Sequence, residues 1–325
     1  YEPLTTKSVS GKLQVGGTFL QSARCLQMLE EPGREMAAEN LKEIAVDGLV
    51  VIGGDGSHRG ALELQKYGLK VIAIPASIDN DIPFTDMSLG VDTALNNIIH
   101  AVDCLKDTAS SHDRTFVVET MGRNCGYLAL VSGIACGAEY ALIPESRYDI
   151  EAICKNLRQR FQEGRDNSII MVAEGAGTAQ DVADQIRDRI GFETRIMVLG
   201  HYQRGGSPST FDRLLAARFG VAAVEMLLQE DSGKMLGLSC GAMISTDLKK
   251  VIRSDYWNNT LIIRDFQKGK FINELRGHTG RINAITISPD GSTAVSGSED
   301  ETLRVWDIES KKDPLTIGLH RFLRT

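Results

Sequence analysis

The sequence predicts an α/β protein built on mainly parallel sheets, followed by a small antiparallel β segment at the C-terminus. Two observations carry this. From about residue 40 to 230, short apolar runs rich in β-branched residues end in glycine or polar turns, and helical stretches follow them; that alternation is the signature of βαβ units. After about Ser254 it gives way to aromatics, period-two patterning and Gly/Ser/Asp turns, which read as antiparallel strands.

Taken in order, the first strand is expected at Leu49-Val50-Val51-Ile52. Ser57 is placed to cap a helix from Arg59 to Tyr67, with Gly68 as its stop. Further strands are expected at Val71–Ile74, Phe116–Val118, Ala141–Ile143, Ile169–Val172 and Ile196–Leu199. Ser209, with Asp212 three residues on, reads as a capping box opening a helix from Arg213 to Leu228. A domain boundary is expected near 254–258. Beyond it, Ile282 to Asp307 reads as three short antiparallel strands joined by Pro289-Asp290-Gly291 and Glu299-Asp300.

A length of 325 residues allows one large or two ordinary domains, and 42% hydrophobic with 24% charged residues fits a soluble globular chain. The net charge of −7 weighs against a nucleic-acid partner. The six cysteines lie far apart without a C-x-x-C pair. They are expected to be reduced core residues of a cytosolic protein, a zinc or disulfide role being the weaker alternative. No apolar run reaches the ~20 residues needed to cross a bilayer. Tyr1-Glu2-Pro3 lacks the basic start and apolar core of a signal peptide, and without an initiator Met the true N-terminus is expected to be missing.

The chemistry sits at four strand ends. Gly53-Gly54-Asp55-Gly56-Ser57 lets the backbone turn sharply and approach a ligand, and the helix N-terminus behind it favours an anion. Asp55 is placed to hold Mg²⁺. In Ser77-Ile78-Asp79-Asn80-Asp81, two carboxylates two residues apart can face one side; one of them can accept a proton from a hydroxyl that attacks a γ-phosphate. A polar Asx-rich turn is the alternative for that stretch. Met121-Gly122-Arg123 opens a helix after a strand, and the Arg123 fork suits a phosphate. In Gly200-His201-Tyr202-Gln203-Arg204-Gly205-Gly206, a histidine and an arginine flank a glycine turn. Each block alone is weak; four at consistent strand ends point to one cleft, because open parallel sheets bind ligands beyond their carboxyl ends.

The blocks GGDGS, SIDND, MGR and GHYQRGGSP, in this order and approximate spacing, resemble those of the 6-phosphofructokinase family from about Leu4 to Ser254. Gly16-Gly17-Thr18 and Ser22-Ala23-Arg24 resemble the segment before that family's nucleotide loop, with Gln21 where glycine is usual. The resemblance implies a two-lobed phosphofructokinase-like fold over 1–254, with a larger lobe of about 1–90 and 203–254 and a smaller one of about 91–202. It implies a glycolytic, cytoplasmic, allosteric kinase that uses ATP with Mg²⁺ on fructose 6-phosphate. Asp79 is then the base for the 1-hydroxyl. Ser77 and Asp81 assist the migrating phosphoryl group, and Arg123 joins these catalytic residues. Asp55 holds the metal. Gly54, Gly56, Ser57, Arg24 and Cys25 line the nucleotide, while Met121, Gly122, Arg123, Glu174, His201 and Arg204 bind the sugar phosphate. Arg114 and Arg195 match arginines that reach it from a neighbouring subunit, which implies a homo-oligomer, in this family usually a tetramer. Glu139 and Lys106 sit where some relatives contact effectors.

Relatives that use pyrophosphate usually carry Asp at the position of Gly56 and Lys at that of Ala76, so ATP is the expected donor. A pyrophosphate-dependent relative and a non-catalytic interaction protein are the alternatives. The family's first βα unit has no counterpart here, which implies weak or absent turnover for this chain.

Gly277-His278, Ser288-Pro289-Asp290-Gly291, Ser296-Gly297-Ser298, Asp300 and Trp306-Asp307 resemble a segment of a WD-repeat propeller, within a partial β unit of 257–325 that is a candidate protein-contact surface. The resemblance implies a buried tetrad of His278, Asp300, Trp306 and either Ser296 or Ser298. Asn259 to Leu275 resembles the end of a preceding blade, with Arg264 where Trp is usual. One repeat and a partial one cannot close a ring of ~4–8 blades, so the tail is read as a misassembled gene product or a piece of a kinase–scaffold fusion.

Overall fold

The computed structural model describes residues 1–23, 25–109, 115–164, 167–191, 193–253, 260–264, 271–278, 282–288, 292–298, 302–308 and 314–318. They divide into two compact units, Tyr1–Leu238 with Met243–Leu248, and Ser239–Ala242 with Lys249–Thr325. The boundary expected at 254–258 lies outside the described residues.

The first unit begins with α1 (Thr6–Val9), a 3₁₀ turn at Leu26–Leu29 and α2 (Glu31–Glu43). Then come β1 (Leu49–Gly53), α3 (Asp55–Gln65), β2 (Val71–Pro75), α4 (Val91–Ala109), β3 (Thr115–Thr120), α5 (Tyr127–Cys136) and β4 (Tyr140–Leu142). They are followed by α6 (Ile150–Gln162), β5 (Ser168–Ala173), α7 (Ala179–Ile190), β6 (Thr194–Val198), a 3₁₀ turn at Gly200–Arg204 and α8 (Thr210–Leu228). Next are β7 (Lys234–Ser239) and β8 (Ala242–Asp247), and then α9 (Leu248–Arg253), whose residues from Lys249 on belong to the second unit. Every apolar run predicted as a strand forms one, with ends shifted by one or two residues. β7 and β8 were not anticipated; β7 joins the first sheet by pairing with β2, and Cys240 and Gly241, both at positive φ, turn the chain from β7 into β8.

Two sheets organise this unit. One has the order β1-β2-β7-β8, with β1, β2 and β7 parallel. The other, β4-β5-β3-β6, is parallel throughout. Its faces are both covered, as parallel sheets require. Val91, Ile98 and Val102 of α4 and Leu128 of α5 pack on one side against Phe116, Val118 and Met171. Ile153 and Leu157 of α6 and Val182 and Ile186 of α7 pack on the other against Val117, Ile170 and Val172. On the first sheet, Leu215 and Phe219 of α8 pack on Ile72, Ile74, Leu236 and Leu238.

Three expectations are corrected. α3 starts at Asp55 with Gly54 as its N-cap, so Ser57 lies inside the first turn and caps nothing; Gly68, at φ +85°, does follow the helix end. Ser209 caps α8 by accepting the Asp212 N–H at 3.2 Å, but the Asp212 carboxylate does not complete a box and turns instead to α4. Of the six cysteines, only Cys136 and Cys154 are buried, and Cys25, Cys104 and Cys240 are exposed. Among the described residues no helix is long and apolar enough to cross a membrane.

In the second unit, β9 (Thr260–Arg264) and β10 (Phe271–Arg276) form an antiparallel pair. β11 (Ile282–Ile287), β12 (Thr293–Ser298) and β13 (Thr302–Asp307) are the three expected strands, and β14 (Leu315–Gly318) adds a fourth. The hydroxyl of Ser296 lies 2.7 Å from His278 Nε2 and accepts from Trp306 Nε1 at 2.7 Å. Thr302 Oγ1 lies 3.3 Å from His278 Nδ1. Asp300 and the connections at 289–291 and 299–301 lie outside the described residues.

One buried group makes the first unit sensitive to acid. His58 in α3 lies with Nε2 3.3 Å from the Ile74 carbonyl, and its Nδ1 has no partner. A carbonyl only accepts, so Nε2 carries the proton of the neutral ring. Burial lowers the His58 pKa below its ordinary 6.5, against opposing pulls from the Ile74 carbonyl and Asp55. The unfolded chain therefore takes up this proton more readily. His58's neutral form costs nothing above about pH 6.5, and stability falls as pH drops below that value. Thermal melts between roughly pH 7.5 and 5.5 should show the wild type losing more stability than His58→Gln; parallel losses would contradict the assignment.

Candidate active site

Register places the first two blocks side by side. Parallel pairing sets Gly53 opposite Pro75 at the carboxyl ends of β1 and β2, and Ala76 N donates to Gly53 O at 2.9 Å. A side chain at Gly53 would force Ser57 to move, since its Cβ would sit 2.4 Å from Ser57 Oγ and 2.7 Å from Ser57 Cβ. A Cβ on Gly54 would lie 3.8 Å from Ser77 Cβ, so the two loops touch, whereas the space at Gly56 is open. Asp55 is in the first turn of α3, with Oδ2 accepting from Arg59 Nε at 2.9 Å.

The loop after β2 is held by Asn80. Its backbone is left-handed at φ 52°, a conformation that asparagine tolerates. Its buried amide donates to Asp86 O at 3.1 Å and accepts from Ser88 N at 2.9 Å. The flanking carboxylates differ as a result. Asp81 Oδ1 accepts from Ser77 Oγ at 3.1 Å. Asp79 Oδ1 is buried without a partner. Burial raises the Asp79 pKa above its ordinary 3.8; Asp81 and Glu174 push it further up, and Arg204 opposes them.

Glu174 reaches that neighbourhood because β5 and β3 are adjacent. Its N–H donates to Thr120 O at 2.9 Å, and Gly175 N donates to Gly122 O at 3.2 Å. A Cβ on Gly175 would fall 1.9 Å from Arg123 O, so only glycine lets the loop after β5 lie on Met121-Gly122-Arg123. Met121 packs on the α4–α5 core. On the same loop, burial pushes the Cys125 thiol up to about 11, with Glu145 and Asp81 adding to it. Asp81 thus stands within electrostatic reach of this loop too.

The last block is a 3₁₀ turn carrying His201 and Arg204 beside buried Gln203. Asn97 Nδ2 of α4 donates to Gly205 O at 2.7 Å and to Gln203 O at 3.4 Å. The structure therefore gathers Ser77, Asp79, Asp81, Glu174 and Arg204, with Gly54 and the 121–125 loop alongside. Arg195 is not in this group: it lies exposed on β6 and pairs with Glu193. Cys25 is exposed ahead of the 3₁₀ turn at Leu26–Leu29. Arg24 and Arg114 lie outside the described residues. Glu139 is engaged by Arg160 and by Ile169 N, each at 2.6 Å, and Lys106 donates to Cys136 O. The anchoring contacts of Asn80, Gly175, Thr93 and Asp212 are not evident from the sequence. An asparagine between two aspartates was the only sequence hint, since the other three act through contacts distant in the chain.

Comparison with known proteins matches residues 1–227 to the family described as Phosphofructokinase and residues 269–307 to the WD domain, G-beta repeat. The chain is 49% identical over 247 residues to an ATP-dependent 6-phosphofructokinase of Macrococcus caseolyticus, covering 76% of this chain and 77% of that one. It is 48% identical over 251 residues to the Bacillus pumilus enzyme of the same name, covering 77% and 79%. Phosphofructokinase from Saccharomyces cerevisiae superposes with a TM-score of 0.72 at 36% identity over 77% of this chain, which spans 38% of that longer one. A pyrophosphate-dependent phosphofructokinase from Marinobacter aquaeolei, at 20% identity and a TM-score of 0.66 over 77% of this chain and 69% of that one, shares the fold.

The position of Asp79 carries a stability cost that can be measured. Its folded pKa is raised, so the folded state holds this proton more readily than the unfolded chain. The cost is absent below about pH 3.8 and complete once pH has risen past the folded value. Asp79→Asn should therefore melt above the wild type at pH 7, and the gap should close toward pH 4. A variant that melts lower at neutral pH would show that the carboxylate is stabilised by its surroundings.

Proposed function

The chain belongs to the phosphofructokinase family, and from that premise we propose that it transfers the γ-phosphoryl group of ATP to the 1-hydroxyl of fructose 6-phosphate, giving fructose 1,6-bisphosphate. The observation that carries this is Asp79. It is a half-buried carboxylate whose Oδ1 is buried without a partner and whose pKa is raised, set among Asp81, Glu174 and Arg204. A general base needs an acceptor that no other group already occupies and a pKa moved toward the working pH. Asp79 takes the proton from the 1-hydroxyl as its oxygen attacks. Ser77 and Asp81, already hydrogen-bonded to each other, flank the migrating group. Arg123, His201 and Arg204 bind the sugar phosphate, with Met121, Gly122 and Glu174 around the sugar.

The donor set fits Mg²⁺. This ion binds through one or two carboxylates together with phosphate oxygens and water. Asp55, with Oδ2 engaged by Arg59 and Oδ1 left over, supplies such a ligand at the mouth of the nucleotide loop. When bound, the ion neutralises phosphate charge. ATP as donor is supported by the open space at Gly56 and by relatives named ATP-dependent. The comparisons do not favour the pyrophosphate-dependent or non-catalytic alternatives, nor the expectation of weak turnover. Gly54, Gly56, Ser57, Arg24 and Cys25 are assigned to the nucleotide. Arg195, exposed on an edge strand, and Arg114 are assigned to the sugar site of a neighbouring copy, which makes the working form a homo-oligomer. A cytoplasmic location goes with that glycolytic reading.

A coupled ADP-release assay with Mg-ATP and fructose 6-phosphate tests the reading, with pyrophosphate as the competing donor. Turnover should favour ATP and fall by ~10²-fold or more in Asp79→Ala. A rate that survives this change, or a preference for pyrophosphate, would sink the proposal.

A further inference from the structure

α4 begins at the meeting point of two segments that the chemistry needs held in fixed relation. The loop carrying Ser77, Asp79 and Asp81 ends at Gly90, just before it. The segment carrying His201 and Arg204 ends at Ser209, just before α8. Asp212 of α8 is almost fully buried, at 4% exposure. Its Oδ1 accepts from Gly90 N at 2.9 Å, and its Oδ2 accepts from Thr93 N at 2.8 Å and from Thr93 Oγ1. The same Thr93 hydroxyl accepts from Ser209 N at 3.0 Å. One turn further along α4, Asn97 takes the carbonyls of Gln203 and Gly205.

A carboxylate at a helix N-terminus satisfies amides that have no intrahelical partner. That need could be met by a local capping residue. Here it is met by a side chain 119 positions away in sequence from Thr93, reached through a hydroxyl that bonds in both directions. We propose that Thr93 and Asp212 are positioning residues that hold the Asp79 loop in register with the His201–Arg204 segment, so that base and sugar-phosphate ligands face one substrate. The role assigned to those ligands rests on the kinase reading; the coupling of the two segments does not.

The test uses the full chain with Thr93→Val, which keeps the shape and removes the hydroxyl, Thr93→Ser, which keeps the hydroxyl, and Asp212→Asn as an independent break. Amide hydrogen exchange in 76–90 and 200–209 is read together with fructose 6-phosphate binding by calorimetry. Thr93→Val and Asp212→Asn should speed exchange in both segments at once and weaken sugar-phosphate binding by about tenfold, and Thr93→Ser should restore both. Unchanged exchange, loosening of one segment alone, or a serine variant indistinguishable from valine would overturn the proposal. If the wild type binds no fructose 6-phosphate, the kinase reading fails, and the exchange measurements still decide the coupling.

Discussion

The arrangement of the site depends on one register. Because β1 and β2 pair in parallel with Gly53 opposite Pro75, the nucleotide-type glycine turn and the aspartate loop leave the sheet at the same height and on the same edge. A shift of one residue would invert every side chain of a strand. β2 is buried along its whole length, so both of its faces resist such a shift. The core that fixes the register, Ile72 and Ile74 against Leu215 and Phe219, is thus also what keeps Gly54 against Ser77.

Within that frame the electrostatics are one-sided. Asp79, Asp81 and Glu174 come within range of one another, with Arg204 as the opposing charge at Asp79. Like charges gathered around a half-buried carboxylate raise its pKa and cost stability. A fold that needed these groups only for structure would pair Asp79 Oδ1; here it is buried and left without a partner. The same residue that weakens the fold is the one best prepared to take a proton. Perturbed groups cluster at functional sites for this reason.

The strands are legible because each is a short β-branched run between turn signals, and the four blocks because, though each alone is weak, together they fall at consistent strand ends in one family's order. The sequence did not reveal β7 and β8, where Lys234–Ser239 and Ala242–Asp247 mix polar and apolar residues without the run that marks a buried strand. The capping box at Ser209 was misread in half because Asp212 has two uses for its carboxylate. Local spacing suggests the near one, and tertiary packing supplies amides at Gly90 and Thr93 that win. Ser57 was misread for a related reason: a glycine N-cap at Gly54 leaves no side chain to announce where α3 begins.

Functional side chains here stand on loops, and loops are the least constrained parts of a fold. Each of these loops has an internal anchor that no motif displays. Asn80 ties 76–90 from within, using a left-handed backbone and both ends of its amide. Gly175 lets the loop after β5 press on Arg123. Asn97 and Thr93 secure 200–209 from α4. These anchors are small polar or absent side chains that bond or approach backbone, so they transmit position without adding charge to a cleft that already holds an excess of it. The catalytic letters of such a site can be read one block at a time, but its geometry belongs to residues whose partners lie in other blocks.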